Sequence, residues 1–250
     1  MGYEFITDFE HWLKSQKKCA HNTTIKYLIN LKKVVLIEVK NGWLAKDPFT
    51  GFKMSRANVN RHALTDSELA KIVEKDFENT RLNQVRDIFV FCCYTGLAYS
   101  DVNKLNRKDI IDGYAGEKWL VINRQKTDSQ SRVPLLPPAL QIRENYQHHP
   151  LSVVKDQLLP VLSNQKINSY LKEIGDVCRI DKPITFHLAR HTFATTVTLT
   201  NGVPIESVSK MLVNSSLKTT QIYAKIVDRK ISEDMNLLKG KLSSAAQKPN

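Results

Sequence analysis

The sequence predicts a mainly α-helical chain in two domains, with one small antiparallel sheet inside the second. Three observations predict it. Apolar residues recur at spacings of three and four through most of the 250 positions. One stretch, residues 117–136, changes character and reads as a β-hairpin with two short apolar runs about a turn. A basic segment with little periodicity, residues 55–64, separates a first pair of helices from the remainder.

Each element follows from its own residues. Phe5, Phe9, Trp12 and Leu13 set a helix over 3–15, and Ile25, Leu28, Leu31, Val35 and Val39 set one over 23–40. Asn41-Gly42 and Asp47-Pro48 supply turns. The predicted domains are residues 1–54 and 65–250, joined by the linker 55–64. Thr65 with Glu68 forms a capping box that opens a helix. Val85, Ile88, Phe89, Cys92 and Cys93 form the face of a helix over 80–95, with Gly96 placed to close it in the left-handed conformation. A short helix begins across Ser100–Leu105. In "EKWLVINRQKTDSQSRVPLL", Trp119, Val121 and Asn123 alternate with Leu120 and Ile122, "TDSQ" turns, and Val133–Leu135 returns. Helices then follow near 137–147, 164–178, 187–201, 204–213, 216–225 and 228–240, with Pro204 at a first helical position. The final "SSAAQKPN" is expected to be a disordered tail.

Composition narrows the function classes. No run approaches eighteen apolar residues, so a membrane span is not expected. The acidic helical start argues against a secretory leader, and Ile6 argues against myristoylation at Gly2. A net charge of +12 is what a phosphate-binding surface requires. Up to Asn60, 10 basic residues face 5 acidic ones, a net of +5 that leaves +7 for the other 190. Basic charge is thus denser in the first domain. Cys19, Cys92, Cys93 and Cys178 lack metal-ligand spacing and read as reduced thiols of a cytosolic protein.

Few residues offer chemistry. In "FHLARHTFAT", His187 and Arg190 lie three apart, on one helical face, with His191 beside them. Guanidinium offers a fork of donors suited to phosphate, and imidazole exchanges a proton near neutral pH. Lys126, at the hairpin tip, could reach and protonate a leaving oxygen. Tyr223 stands exposed on a predicted amphipathic helix. Taken singly, each has a plainer reading: a surface pair, a solvated turn lysine, a packing aromatic.

Taken in order they resemble a known set. "LTDSELAKI" (64–72), "TGLAYSDVNKL" (95–105), Lys126, "HLARHTFAT" (187–195) and "KTTQIYAKI" (218–226) resemble the tyrosine recombinase, or phage-type integrase, family. More specifically, the chain looks like the integrases of bacterial mobile elements such as conjugative transposons, and the resemblance runs from about residue 3 to 240. It implies a small helical core-binding domain and a larger catalytic domain with a small sheet. Tyr223 would be the nucleophile that forms a 3′-phosphotyrosine. Arg190 would grip the scissile phosphate, His187 transfer a proton, and Lys126 act as general acid. Asp101 matches the family's acidic residue. No metal or cofactor is implied. The implied partners are duplex DNA, a homotetramer on synapsed DNA formed from monomers, and accessory DNA-bending proteins, all in the cytoplasm at the nucleoid.

Two departures qualify this. Ala98 stands where the family has an arginine, and "LVN" stands where it has "LGH", so Val213 replaces glycine and Asn214 replaces histidine. An asparagine amide donates a hydrogen bond but carries no charge. Arg86 and Arg124 are candidates to compensate, although about twelve residues of helix would hold Arg86 roughly 18 Å away. Candidate DNA contacts are Lys26, Lys32, Lys33, Arg56 and Arg61. Residues 227–241, with Ile231, Met235 and Leu238 at helical spacing, could pack on their own domain or dock on a neighbouring protomer. The family's mobile-element members carry a further arm-binding domain; a fragment and a shorter member both stay open. The competing functions are a catalytically silent DNA-binding relative, such as an accessory factor, and a type IB topoisomerase-like enzyme.

Overall fold

The structure is a computed structural model that describes residues 2–57, 62–113, 116–123, 130–213, 235, 236, 238 and 239. The chain divides into two compact units, Met1–Asn60 and Arg61–Asn250. No described helix is long and apolar enough to cross a membrane.

The first unit holds α1 (Tyr3–Ser15) and α2 (His21–Lys40). Their facing residues Ile6, Ile25, Leu28 and Val35 close a small core on Phe49. Both helices keep apolar residues outside as well. Phe5, Phe9 and Trp12 stack along α1 at centroid spacings of 6.2 and 6.0 Å, and Lys17 lies over Trp12.

The second unit is built around one helix. It contains α3 (Asp66–Glu74), α4 (Thr80–Thr95), α5 (Tyr99–Val102), a 3₁₀ turn at Arg107–Asp109, and a sheet of β1 (Ile110–Asp112), β2 (Lys118–Asn123) and β3 (Gln130–Pro134). After these come α6 (Pro137–Asn145), α7 (Pro150–Val154), α8 (Asn164–Val177), α9 (Phe186–Thr192) and α10 (Ile205–Leu212). α4 is buried all round from Ile88 to Cys93 and packs on α3, α6, α8 and α9. A helical stretch that is apolar all round must lie inside a domain. Cys92 and Cys93 sit within it, their thiols pushed well above the usual range by burial. All four cysteines are free, and only Cys19 is not buried.

Local signals hold at several ends. Thr65 and Glu68 form the reciprocal capping box, with Thr65 Oγ1 accepting from Glu68 N–H at 3.2 Å. Burial opposes the ionisation of Glu68, but hydrogen bonds from Lys182 and Thr65 outweigh it and keep the carboxyl below its ordinary value. Gly96 closes α4 at φ 70°, ψ 11°.

The alternation in 118–123 is borne out: Leu120 and Ile122 are buried, Trp119 and Val121 half-buried and Asn123 exposed. β2 pairs antiparallel with β3, Leu120 opposite Val133. The expected "TDSQ" turn lies outside the described residues. The sheet has a third strand that periodicity missed, because β1 is three residues long and is defined by its pairing of Ile110 with Leu120.

Three helical expectations change. The stretch 187–201 is not one α-helix: α9 passes into a π-helical turn at Phe193–Thr198 and a 3₁₀ turn at Leu199–Asn201. Its threonines cause the widening. Thr198 Oγ1 donates to the carbonyls of Phe193 and Ala194, and Thr200 Oγ1 to that of Thr195, so side chains compete for the helical acceptors. Pro204 precedes α10 as its N-cap in place of its first residue, with ψ at 143°. α7, "PLSVV", was not anticipated; it leaves Leu151, Val153 and Val154 exposed. The helices expected at 216–225 and 228–240 lie outside the described residues, apart from helical positions 235, 236, 238 and 239.

Candidate active site

Arg190 is the centre of the described site. It lies on α9 and is only 6% exposed. Its guanidinium donates to Gly96 O at 2.8 Å and to Leu212 O at 2.6 Å. Both acceptors belong to helix ends: Gly96 caps α4, and Leu212 is the last residue of α10. Carbonyls at a helix C-terminus carry the negative end of the helix dipole and favour a cation. The planar guanidinium fork spans two such ends at once with donors in fixed geometry. Arg190 thereby joins three elements far apart in sequence.

The turn after α10 has a second anchor. Ser131 on β3 donates from Oγ to Met211 O at 2.6 Å. The chain then leaves α10 through Val213 at φ 46°, ψ 49°, a left-handed conformation for a β-branched residue. Asn214 follows directly.

His187 lies on the first turn of α9 and is exposed, so the pair is divided: imidazole outside, guanidinium inside. Its ring meets that of His191 edge to face at 4.6 Å, and His191 is itself buried. A cavity of about 310 Å³ adjoins it, lined by residues that include Ala98, Ser100, Asn164, Asn168 and His187. Ala98 is the N-cap of α5 and supplies no side-chain hydrogen bond there.

Asp101 is half-buried on α5, receives a hydrogen bond from Ser100 Oγ at 3.3 Å, and adds to the burial that raises the Cys92 thiol. It borders a second cavity, of about 330 Å³, with Lys104, Asp109, Asn123 and Gln130. The structure therefore brings Arg190, His187 and the two ends of the α4–α5 turn to neighbouring positions. Tyr223, Lys126, Arg124, Asn214 and Arg61 lie outside the described residues.

Arg86 does not compensate for Ala98 in this structure. Its Nε donates to Asp87 Oδ1 at 2.8 Å, and another donor holds Lys75 O. Tyr146 O–H completes the group by donating to Asp87 at 2.9 Å. Arg86 thus sits in a network at the opposite half of α4. In the first unit, Lys26, Lys33 and Arg56 are exposed. Lys32 is partly engaged, 3.8 Å from Asp47 and over the Phe49 ring. No cluster of metal ligands occurs among the described residues.

Sequence reasoning missed Ser131 and Asn168. Asn168 Oδ1 accepts from Phe186 N–H at 2.9 Å, across 18 residues. Thr185, the N-cap residue of α9, makes no such bond.

Residues 62–230, well over half of the chain, match the Phage integrase family. The chain belongs to this family, the tyrosine recombinases. Residues 1–55 match the phage integrase SAM-like domain. The tyrosine recombinase XerA of Thermococcus onnurineus is 29% identical over 189 residues, covering 71% of this chain and 64% of the relative. The chain spans 64%, 68% and 60% of the lengths of three such relatives, about two thirds. Among solved structures, a lambda integrase dimer bound to a COC′ core site has a TM-score of 0.71 at 15% identity, covering 89% of this chain and 79% of that one. The Tn1549 transposon integrase in complex with a circular intermediate DNA has a TM-score of 0.67 at 16% identity, covering 87% and 80%. These likenesses are to the fold: mainly helical, with a small antiparallel sheet.

Proposed function

We propose that this chain is a site-specific recombinase that cuts and rejoins duplex DNA during integration or excision of a mobile element. The observation that carries the reading is Arg190, fixed between the ends of α4 and α10 with His187 on the same short helix. A cation held in this way is preorganised for a phosphate.

The chemistry follows from the residue types. Tyr223 Oη attacks the scissile phosphorus and gives up its proton to His187; a phosphotyrosyl bond forms at the 3′ phosphate while the bond to the 5′ oxygen breaks. Lys126 gives that oxygen its proton, leaving a free 5′-hydroxyl. Attack by a 5′-hydroxyl reverses each step and reseals the strand, so no external energy source enters. A phenol with a pKa near 10 needs help as a nucleophile. Most help comes from donors aimed at the charge that develops on the non-bridging oxygens. Arg190 supplies the cation, with His187 and the Asn214 amide as partners. Asp101, on the helix after Ala98, takes the place of the family's acidic residue.

Ala98 removes one cation from this set. Loss of a single positioned donor costs on the order of 10²–10³ in rate. The chain is therefore a slow recombinase, and Ala98→Arg should raise its cleavage at least about tenfold. The DNA partners are a duplex held by both domains, 1–54 and 65–250, with exposed Lys26, Lys33 and Arg56 on phosphates and four protomers on the synapse.

The test uses a pool of nicked suicide duplexes with randomised cores, captured as covalent adducts under denaturing conditions. Adducts that form with the native chain and vanish in Tyr223→Phe support the reading. The bare α5 N-cap at Ala98 favours one rival, a silent DNA-binding relative. Retention of DNA without any Tyr223-dependent adduct would establish that rival and end the proposal.

A further inference from the structure

α9 begins without a cap of its own. Its N-cap Thr185 makes no side-chain bond to the helix, although the first N–H groups of any helix lack internal partners. The partner comes from α8. Asn168 Oδ1 accepts from Phe186 N–H at 2.9 Å. Asn168 is itself fixed, because its Nδ2 donates to Asn164 O at 2.7 Å and to Asn164 Oδ1 at 2.9 Å. Both faces of its amide are thus assigned, and rotation would break all three bonds. Phe186 is held on its other side by the Tyr99 ring, edge to face at 5.7 Å. Tyr99 is anchored in turn through its hydroxyl on Leu162 O at 3.0 Å.

The residue after Phe186 is His187. Asn164, Asn168, Ala98 and His187 line the same cavity. We infer that Asn168 is a positioning residue for His187: it caps α9 in place of Thr185 and so sets where the imidazole stands in the recombinase reaction. The inference rests on the proposed role of His187. A seven-residue helix has no length with which to absorb a loosened first turn, and its third turn is already π-helical. A shift at Phe186 therefore passes to His187 rather than dissipating along the helix. Arg190, held separately by two carbonyls, stays in place.

The test compares Asn168→Leu, which keeps the shape and removes the acceptor, with Asn168→Asp, which keeps the acceptor and suits a helix N-terminus. Two readouts are taken on the full chain. The first is the position of the His187 ring resonance without DNA. The second is single-turnover cleavage of duplexes recovered from the randomised pool, alongside their binding constant. Asn168→Leu should move the His187 resonance and slow cleavage about tenfold or more with binding changed less than twofold; Asn168→Asp, which keeps the acceptor but loses the two donors to Asn164, should recover part of both. An unmoved resonance in Asn168→Leu overturns the inference, as does equal loss in the Leu and Asp variants. Should Asn168→Leu fold poorly, Asn168→Ala takes its place under the same criteria. The resonance reads positioning even where no duplex is cut, so failure of the recombinase reading is seen separately, in the native chain.

Discussion

Two helix ends hold Arg190, and they reach the same geometry by different means. α4 ends in a left-handed residue, Gly96, at φ 70°. α10 ends in another, Val213, at φ 46°. Glycine adopts this conformation freely, whereas a residue with a Cβ pays about 1–2 kcal/mol. The first end is relaxed by its own sequence. The second is held from outside, by Arg190 on Leu212 O and Ser131 on Met211 O. Strain of this kind persists only where surrounding bonds determine the backbone, and it gathers at functional sites.

Breaking the relaxed end should have the largest effect. A Cβ at Gly96 would lie 2.5 Å from Phe193 Cδ1 and 2.8 Å from Leu212 Cδ2, in addition to its unfavourable φ. Gly96→Ala should therefore destabilise the second unit by about 2–5 kcal/mol in urea titration. Loss below about 1 kcal/mol would mean that the turn can rearrange. Removing the outer support of the strained end comes next. Ser131 is 1% exposed, and Ser131→Ala should cost about 1–2 kcal/mol by leaving a carbonyl without its donor. Added to Val213→Gly the cost should shrink, which a double-mutant cycle measures. Relieving the strain gives the smallest change. Val213→Gly should stabilise by about 0.5–1 kcal/mol, because the gain at φ is partly offset by glycine's larger unfolded-state entropy. Net destabilisation would show that the valine's packing along the groove beside β3 and α10 outweighs its backbone strain.

The same contrast shows what could be read from sequence. Gly96 closing α4 and the Thr65–Glu68 box were legible because both are local: the residue type and its chain neighbours carry the whole signal. The long helices and the alternation in 118–123 were legible for the same reason. β1, the π-helical turn and the cap on α9 were not, since each depends on a partner many residues away. His187 and Arg190 were read as sharing one face, but sequence spacing could not say that one would be exposed and the other buried. Burial of Arg190 depends on carbonyl acceptors 94 and 22 residues distant. Arg86 shows the converse. It is a plausible spare cation by composition, yet Asp87 and the Lys75 carbonyl already engage it. Tyr223, Lys126 and Asn214 rest on the motif order alone, and Arg124 on its place two residues before Lys126.

The grip on Arg190 also changes when its energy is supplied. A guanidinium free in water must shed solvent and fix its rotamers each time it meets a phosphate. Here that reorganisation is completed once, as the chain folds, and the favourable bonds to two carbonyls offset it. In the proposed reaction, the transition state would meet a cation that is already dry and aimed. Folding stability and reaction rate then draw on the same two hydrogen bonds, so a gain in one cannot be made there without touching the other.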